Sequence, residues 1–195
     1  MRAILNSIII LTCFAVQYQN SLSEQISLEV DPAPFILNGY SFSVRYSLAC
    51  MEHFSFMGSI YKSDFPDAMM SQVNKDNGWT DLEFRTSYAF FVDYFFDKSQ
   101  EGFYIGPSLF IYNKSVEIEN STTSIDFTNI YPNARIGYIW YPFESLGFYL
   151  NPWFNIGSEI NIDKKNKIND IEFEPNRFNY IIAIHLGYSF ELSDL

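Results

Sequence analysis

Two histidines, His53 and His185, and Cys50 are the residues of this 195-residue chain best suited to proton transfer or nucleophilic attack. Histidine titrates near neutral pH and can serve as a general base, but only with an acceptor or nucleophile in hydrogen-bond reach. His185 shares a strand face with position 187, and that position is glycine. His53 follows Cys50 by three residues, and this pair has no further zinc ligands around it. The stretch Asn74-Lys75-Asp76-Asn77-Gly78 is rich in oxygen ligands, yet it lacks the alternating spacing and closing glutamate of a calcium loop. It reads as a turn entering the next element. There is no phosphate loop, nucleophile elbow or dinucleotide fingerprint. No catalytic residue, metal site or cofactor is expected.

A second set is larger. Glu29, Arg45, Glu83, Arg85, Arg135 and Glu159 fall on faces otherwise made of Ser, Asn, Gly and Tyr. A guanidinium can fork onto a carboxylate. One reading is a selectivity ring in a narrow pore. The other, which is expected, is a charge network that fills a bore already crowded with large side chains.

These residues need strands to align them. Apolar and polar residues alternate in eight stretches, which is the signature of strands with two unlike faces. Tyr40, Phe42, Val44 and Tyr46 alternate with Ser41, Ser43, Arg45 and Ser47. Leu82, Phe84, Tyr88, Phe90 and Val92 alternate with Glu83, Arg85, Ser87, Ala89 and Phe91. The last stretch sets Tyr180, Ile182, Ile184, Leu186, Tyr188 and Phe190 against Asn179, Ile181, Ala183, His185, Gly187 and Ser189. Short connections at 49–53, 97–102 and 142–147 interleave with longer segments at 32–39, 63–78, 113–127 and 161–177. A short helix is expected over 67–73, capped by Asp64. Gly102–Pro107 and Gly147–Pro152 resemble each other, which suggests repeated hairpin chemistry. Pro107 and Pro152 are expected at bulges, because proline cannot donate to a ladder.

Composition narrows the setting. Phe and Tyr number 20 and 14. Mean hydropathy is only −0.05, and beyond the N-terminus no apolar run is long enough for a membrane helix. Met1–Ser23 has a positive start, an apolar centre and small residues at the end, so 1–23 is expected to be a secretory signal peptide and 24–195 one domain. A net charge of −11 argues against nucleic acid as a partner. Lysine is scarce in the strands, and their polar faces are small and uncharged. A soluble barrel would hydrate its outer face with charges. Here the apolar faces begin or end in aromatics such as Tyr40, Phe54, Tyr94, Phe103, Trp140 and Phe148, as interfacial girdles do.

With its eight alternating strands and a last strand ending in Tyr188 and Phe190, the mature chain resembles the small bacterial outer-membrane barrels of the OmpX and OmpA-barrel type. The resemblance implies an all-β, eight-stranded antiparallel up-and-down transmembrane barrel, with both termini on the short-turn rim. It implies residence in the bacterial outer membrane, contact with outer-membrane lipid and lipopolysaccharide, and insertion by barrel-assembly machinery that reads Tyr188 and Phe190. A monomeric, non-enzymatic surface barrel, structural or ligand- and surface-interacting through its longer outer loops, is expected. Two alternatives stay open. One is a lipid-modifying barrel enzyme; the outer-membrane lipid A deacylases use a His–Ser pair two residues apart, where this chain has His185 and Gly187. The other is a secreted lipocalin-like barrel carrying a hydrophobic ligand.

Overall fold

The structure, a computed structural model, describes residues 24–67, 70–119, 123–143, 146–163, 165–168, 171–175 and 178–191. The expected signal peptide lies outside them. Eight strands carry the fold: β1 (Gln25–Val30), β2 (Tyr40–Ser47), β3 (Phe54–Asp64), β4 (Trp79–Phe95), β5 (Gly102–Ile118), β6 (Ser124–Ile139), β7 (Phe148–Gly157) and β8 (Asn179–Glu191). Each pairs antiparallel with its sequence neighbours, and β1 pairs with β8 to close an eight-stranded barrel. A short strand, Ile160–Asn161, continues past the end of β7 alongside β6.

Alternation decides what each wall residue meets. Val44, Phe90, Ile105, Ile136 and Ile184 point outward and are exposed, whereas Ser43, Ala89, Tyr104, Arg135 and Asn151 point inward and are buried. The outside is thus an apolar belt and the inside is polar or aromatic. A barrel in water would have the reverse; a belt facing lipid requires this one. The belt ends at two outward ion pairs, Lys62–Glu83 and Arg85–Asp126, each 2.6 Å long.

On the rim near both described ends of the chain the connections are short. Gly102 and Gly147 open β5 and β7 there with φ of 81° and 68°, left-handed values that glycine adopts without a Cβ clash. Above the opposite rim, the connection between β1 and β2 holds helix α1 (Ala33–Ile36). The connection between β3 and β4 holds α2 (Gln72–Asp76), capped by Ser71 rather than built over 67–73.

Three expectations need correction. Segment 113–127 is mostly strand: β5 and β6 extend to Ile118 and from Ser124, paired throughout. Pro107 and Pro152 sit in continuous register with Ala134 and Ile184 rather than at bulges. Their other neighbours make room for them. β4–β5 pairing is interrupted between Phe91↔Ser108 and Tyr94↔Ile105, and β6–β7 pairing between Gly137↔Trp153 and Trp140↔Leu150. Each gap contains one proline, which has no N–H to give.

The third correction concerns Glu83 and Arg85. From Phe84 to Tyr88, β4 advances four residues while β5 advances three, Lys114 to Ile111. Against β3 the same stretch also holds one extra residue, Phe84 to Ser87 opposite Ser63 to Tyr61. This bulge reverses the parity of the residues from Phe84 to Leu82, and a second irregularity between Thr80 and Glu83 turns it back, so that Trp79 is again inward. Phe84 turns inward, and Glu83 and Arg85 turn outward.

Candidate functional site

The inner half of the lumen holds a buried charge network built by β1, β2, β4, β6 and β8. Asp93, fully buried on β4, accepts from Arg45 Nη1 at 2.6 Å and from Arg135 Nε at 2.8 Å. Arg135 Nη2 makes a second bond to the same carboxylate, so this pair is bidentate. Glu29, on β1, accepts from Arg45 Nε at 2.7 Å, Tyr149 Oη at 2.8 Å and Asn151 Nδ2 at 3.0 Å. His185 Nδ1 lies 2.8 Å from the other Glu29 oxygen, Oε2, which Asn151 also reaches. Arg45 Nη1 also reaches Ser55 Oγ at 2.7 Å. Arg135 stacks on Phe91, its guanidinium carbon 3.9 Å from the ring centre.

Two cations face two anions here, so the charges of the four groups cancel. That balance permits their burial: one unpaired charge would cost several kcal/mol, of order 3–5 when a partner is removed. Strand register explains the meeting. Ser27↔Arg45 and Leu28↔Val44 put Arg45 beside Glu29 on the inner face of adjacent strands. Arg135 is opposite Gly106, where a Cβ would sit only 1.8 Å from the Val92 carbonyl oxygen. Glycine at this position lets the β4 backbone that carries Asp93 come close to β5.

A second buried pair stands higher, where Lys114 meets Glu159. Asn129 Nδ2 donates to Glu159 at 2.6 Å, and Lys114 Nζ lies 4.9 Å from the Phe84 ring centre. Of the six residues the sequence singled out, the structure brings Glu29, Arg45 and Arg135 into one network and puts Glu159 in another. Glu83 and Arg85 join neither. Arg85 has a side chain 48% exposed and pairs with Asp126 outside the barrel.

Sequence reasoning missed Asp93 and Lys114. Asp93 continues the inward odd positions of β4 and needed only one further step along the strand. Lys114 continues the inward even positions of β5 past Tyr112, in a segment read as loop. Tyr188 and Phe190 lie outward at the end of β8, their rings 4.8 Å apart.

His185 is held between Glu29 and Trp153, whose ring centre is 5.4 Å away with the two rings nearly perpendicular. Position 187 has no space for a nucleophile: a Cβ there would sit 2.2 Å from the Tyr149 ring. Among the described residues no cluster of three or more His, Cys, Asp or Glu could hold a metal ion.

No protein-family model matches the chain, and no curated protein matches it. Among solved structures it is similar to the N-terminal β-barrel domain of Pseudomonas aeruginosa OprF. That match has 13% identity, covers 86% of this chain and 97% of that one, and has a TM-score of 0.50. The fold is that of the small eight-stranded outer-membrane barrels. A major outer membrane protein from Thermus thermophilus also matches, with 10% identity over 87% of this chain and all of the other, 100%, at a TM-score of 0.49. Neisserial surface protein A matches with 13% identity, 87% and 96% coverage and a TM-score of 0.42. In the terms of this small-barrel fold, the network lies inside the bore, nearer the rim where both described chain ends lie.

Proposed function

We propose that the chain is a monomeric outer-membrane barrel, exported by its N-terminal signal peptide, which conducts no ions and works through the surface it presents beyond the membrane. The supporting observation is the pairing of an outward apolar belt with a buried Glu29–Arg45–Asp93–Arg135 network inside the bore. The belt suits lipid and the acyl region of lipopolysaccharide as its surroundings. The network favours a structural plug over a selectivity ring, since each guanidinium is tied to a carboxylate and packed on aromatic rings instead of facing an aqueous path. The side of the membrane follows from connection length, because outer-membrane barrels keep short turns on the periplasmic side.

Nothing about His185 favours catalysis, since its Nδ1 is engaged by Glu29 and Gly187 leaves no space for a serine. Cell fractionation tests the location: the folded chain should enter the outer-membrane fraction and run faster unheated than boiled. Recovery in the soluble fraction would end this reading. Planar-bilayer recording tests the plug, and step conductance from wild-type protein would refute it.

Insertion is proposed to depend on the outward aromatics Tyr188 and Phe190. Phe190→Ala should lower the folded fraction in outer membranes more than Leu192→Ala; equal fractions would remove Phe190 from that role.

A further inference from the structure

The barrel wall has a seam. β1 is six residues long and β8 is thirteen. Pairing between them ends at Val30↔Leu186, and pairing of β1 with β2 ends at Glu29↔Ser43. Beyond that point, from Asn179 to His185, β8 pairs with β7 alone among the described strands. On the far side of the seam, β2 from Tyr40 to Phe42 pairs with β3 alone.

The chain that leaves β1 does not fill the space. It turns away towards β3. α1 packs on β2 and β3. Asn38 Nδ2 bonds Asp64 Oδ2 at 2.8 Å, and the Asp64 amide bonds the Leu37 carbonyl at 2.9 Å.

Behind the seam lies a cavity of about 710 Å³. Phe91, Phe110, Tyr112 and Trp153 form its deep wall. From β8, it touches Ile181 and His185, which point into the barrel, and also Tyr180 and Ile182, which point out. One cavity can meet both faces of a strand only by wrapping a free edge. The lumen is therefore continuous with the lipid-facing surface at this place. Pro34, Leu37 and Phe178 line the way in, and Asp31 is the one carboxylate or basic chain, histidine aside, in the lining. The volume falls within the roughly 300–1,000 Å³ of ordinary ligand pockets, whose linings are mostly apolar.

We propose that this seam admits a single hydrocarbon chain, sideways from the membrane and tail first, to rest against Phe91, Phe110 and Trp153. The lipid side of the opening is apolar: Phe35 and Phe42 flank it from one edge, and Tyr180, Ile182 and Ile184 are exposed along the other. A chain entering there crosses no belt of charge. A charged headgroup would find no basic partner inside and stays at the mouth. The chain's source is a membrane lipid or a free fatty acid, and the inference rests on the membrane reading above.

Tryptophan quenching tests both and tells them apart. The chain has three tryptophans. Trp140 is on the outer surface, while Trp153 is inside with 6% of its surface exposed. Two single-tryptophan forms are made by changing the other two residues to Phe. Each is folded into vesicles of phosphatidylcholine brominated along its acyl chains, and separately into unbrominated vesicles with added brominated fatty acid.

Quenching of Trp140 by brominated lipid reports insertion. Loss of Trp153 emission in the same vesicles supports entry of a lipid chain, and loss only with the added acid supports a free fatty acid. Trp140 quenched with Trp153 unaffected by either probe overturns the proposal and leaves the membrane reading standing. Neither residue quenched by brominated lipid overturns both. Ala89→Leu, which fills the cavity beside Phe91, should restore Trp153 emission. If that variant does not fold by unheated mobility, Ser59→Leu, at the cross-strand partner of Ala89 on β3 and also in the lining, takes its place. Undiminished quenching in a folded filled variant also overturns the proposal.

Discussion

The barrel encloses two interiors of opposite character. Beside the lipid belt, the interior mixes charge with aromatic rings: Arg45, Arg135, Glu29 and Asp93 neutralise one another among Phe91, Phe95, Tyr104 and Trp153, and most of the wall's aliphatic residues face out. Above the Lys62–Glu83 and Arg85–Asp126 pairs, the order inverts. There Met70, Trp79, Leu82, Val116, Phe127, Ile168 and Phe173 form a buried apolar cluster inside, with the buried Lys114–Glu159 pair against it. The outer connections are part of this second core. Asn74 clamps the Glu174 backbone in both directions, accepting from its amide at 2.9 Å and donating to its carbonyl at 3.0 Å. Trp79 Nε1 bonds the Glu172 carbonyl, and its ring packs edge-on against Phe173. The lower half obeys the solvent rule for lipid and the upper half the rule for water, within the same strands.

The strands make that inversion in two ways. In β4 the apolar positions stay even from Leu82 to Val92, and the bulge between Phe84 and Ser87 turns one alternation over to the other face. In β5 and β6 the sequence itself changes phase. Apolar residues leave the outward positions of Leu109 and Ile111 for the inward ones of Val116 and Ile118, and Phe127 lies inward where Ile130 lies outward. Deep in the lower half, the greatest effect should come from Asp93→Leu. It strands Arg45 and Arg135 with a single carboxylate, and about 3–5 kcal/mol of stability should go with it. Urea unfolding followed by unheated gel mobility measures this; a loss under 1 kcal/mol, the scale of a surface pair, would mean that the four charges are not buried and paired as the structure has them.

In the upper half the matching change is Phe173→Ala. Truncating a buried phenylalanine costs about 3–5 kcal/mol in a tight core, but this cost should stay local. The outer segments should become sensitive to limited proteolysis while the barrel keeps its unheated mobility. Collapse of the barrel itself would show that the two interiors are a single cooperative unit.

Eight strands, their sequential order and most of the outward apolar faces were legible in the sequence, because alternation runs unbroken over long stretches of the strands. Arg45, Arg135 and Glu29 were legible for the same reason. Arg85 was not. A bulge is an extra residue in a pairing, and pairing partners cannot be read from one strand. The upper core was hidden differently: Val116, Ile118, Ile125 and Phe127 do alternate, but they stand among Lys114, Glu117, Glu119 and Asp126, and a charged stretch between barrel strands reads as loop.

A smaller effect probes the lumen's packing where both halves depend on aromatic rings. Gly187→Ser places a side chain against Tyr149, whose ring carbons lie 2.2–2.6 Å from the added Cβ. Tyr149 is fully buried and bonds Glu29, so it cannot swing away without breaking that bond. Overpacking of this kind costs about 1–3 kcal/mol. The variant should fold less well in a urea titration and gain no lipid hydrolysis, although it restores a His–Ser spacing of two. Release of fatty acid from lipid A by folded Gly187→Ser protein would reopen the enzyme reading.

The smallest effect should come from Arg85→Leu, and it sharpens the contrast with Asp93→Leu most directly, since both remove one side of an Arg–Asp pair. Asp93 is buried with its two arginines and has no water to fall back on. Arg85 and Asp126 have side chains 48% and 58% exposed, so each regains hydration when the other is lost. The change also removes a bond of 3.2 Å to Ser115 Oγ, but it lies at the bulge and outside the network. Exposed pairs contribute about 0–1 kcal/mol, and unfolding midpoints should shift by no more than that implies. Salt supplies the control. Raising ionic strength screens an exposed pair and should shrink even this difference, while leaving the Asp93→Leu loss nearly unchanged. A large, salt-insensitive loss for Arg85→Leu would put its side chain back inside the barrel, and the bulge that turns β4 over would have to be wrong.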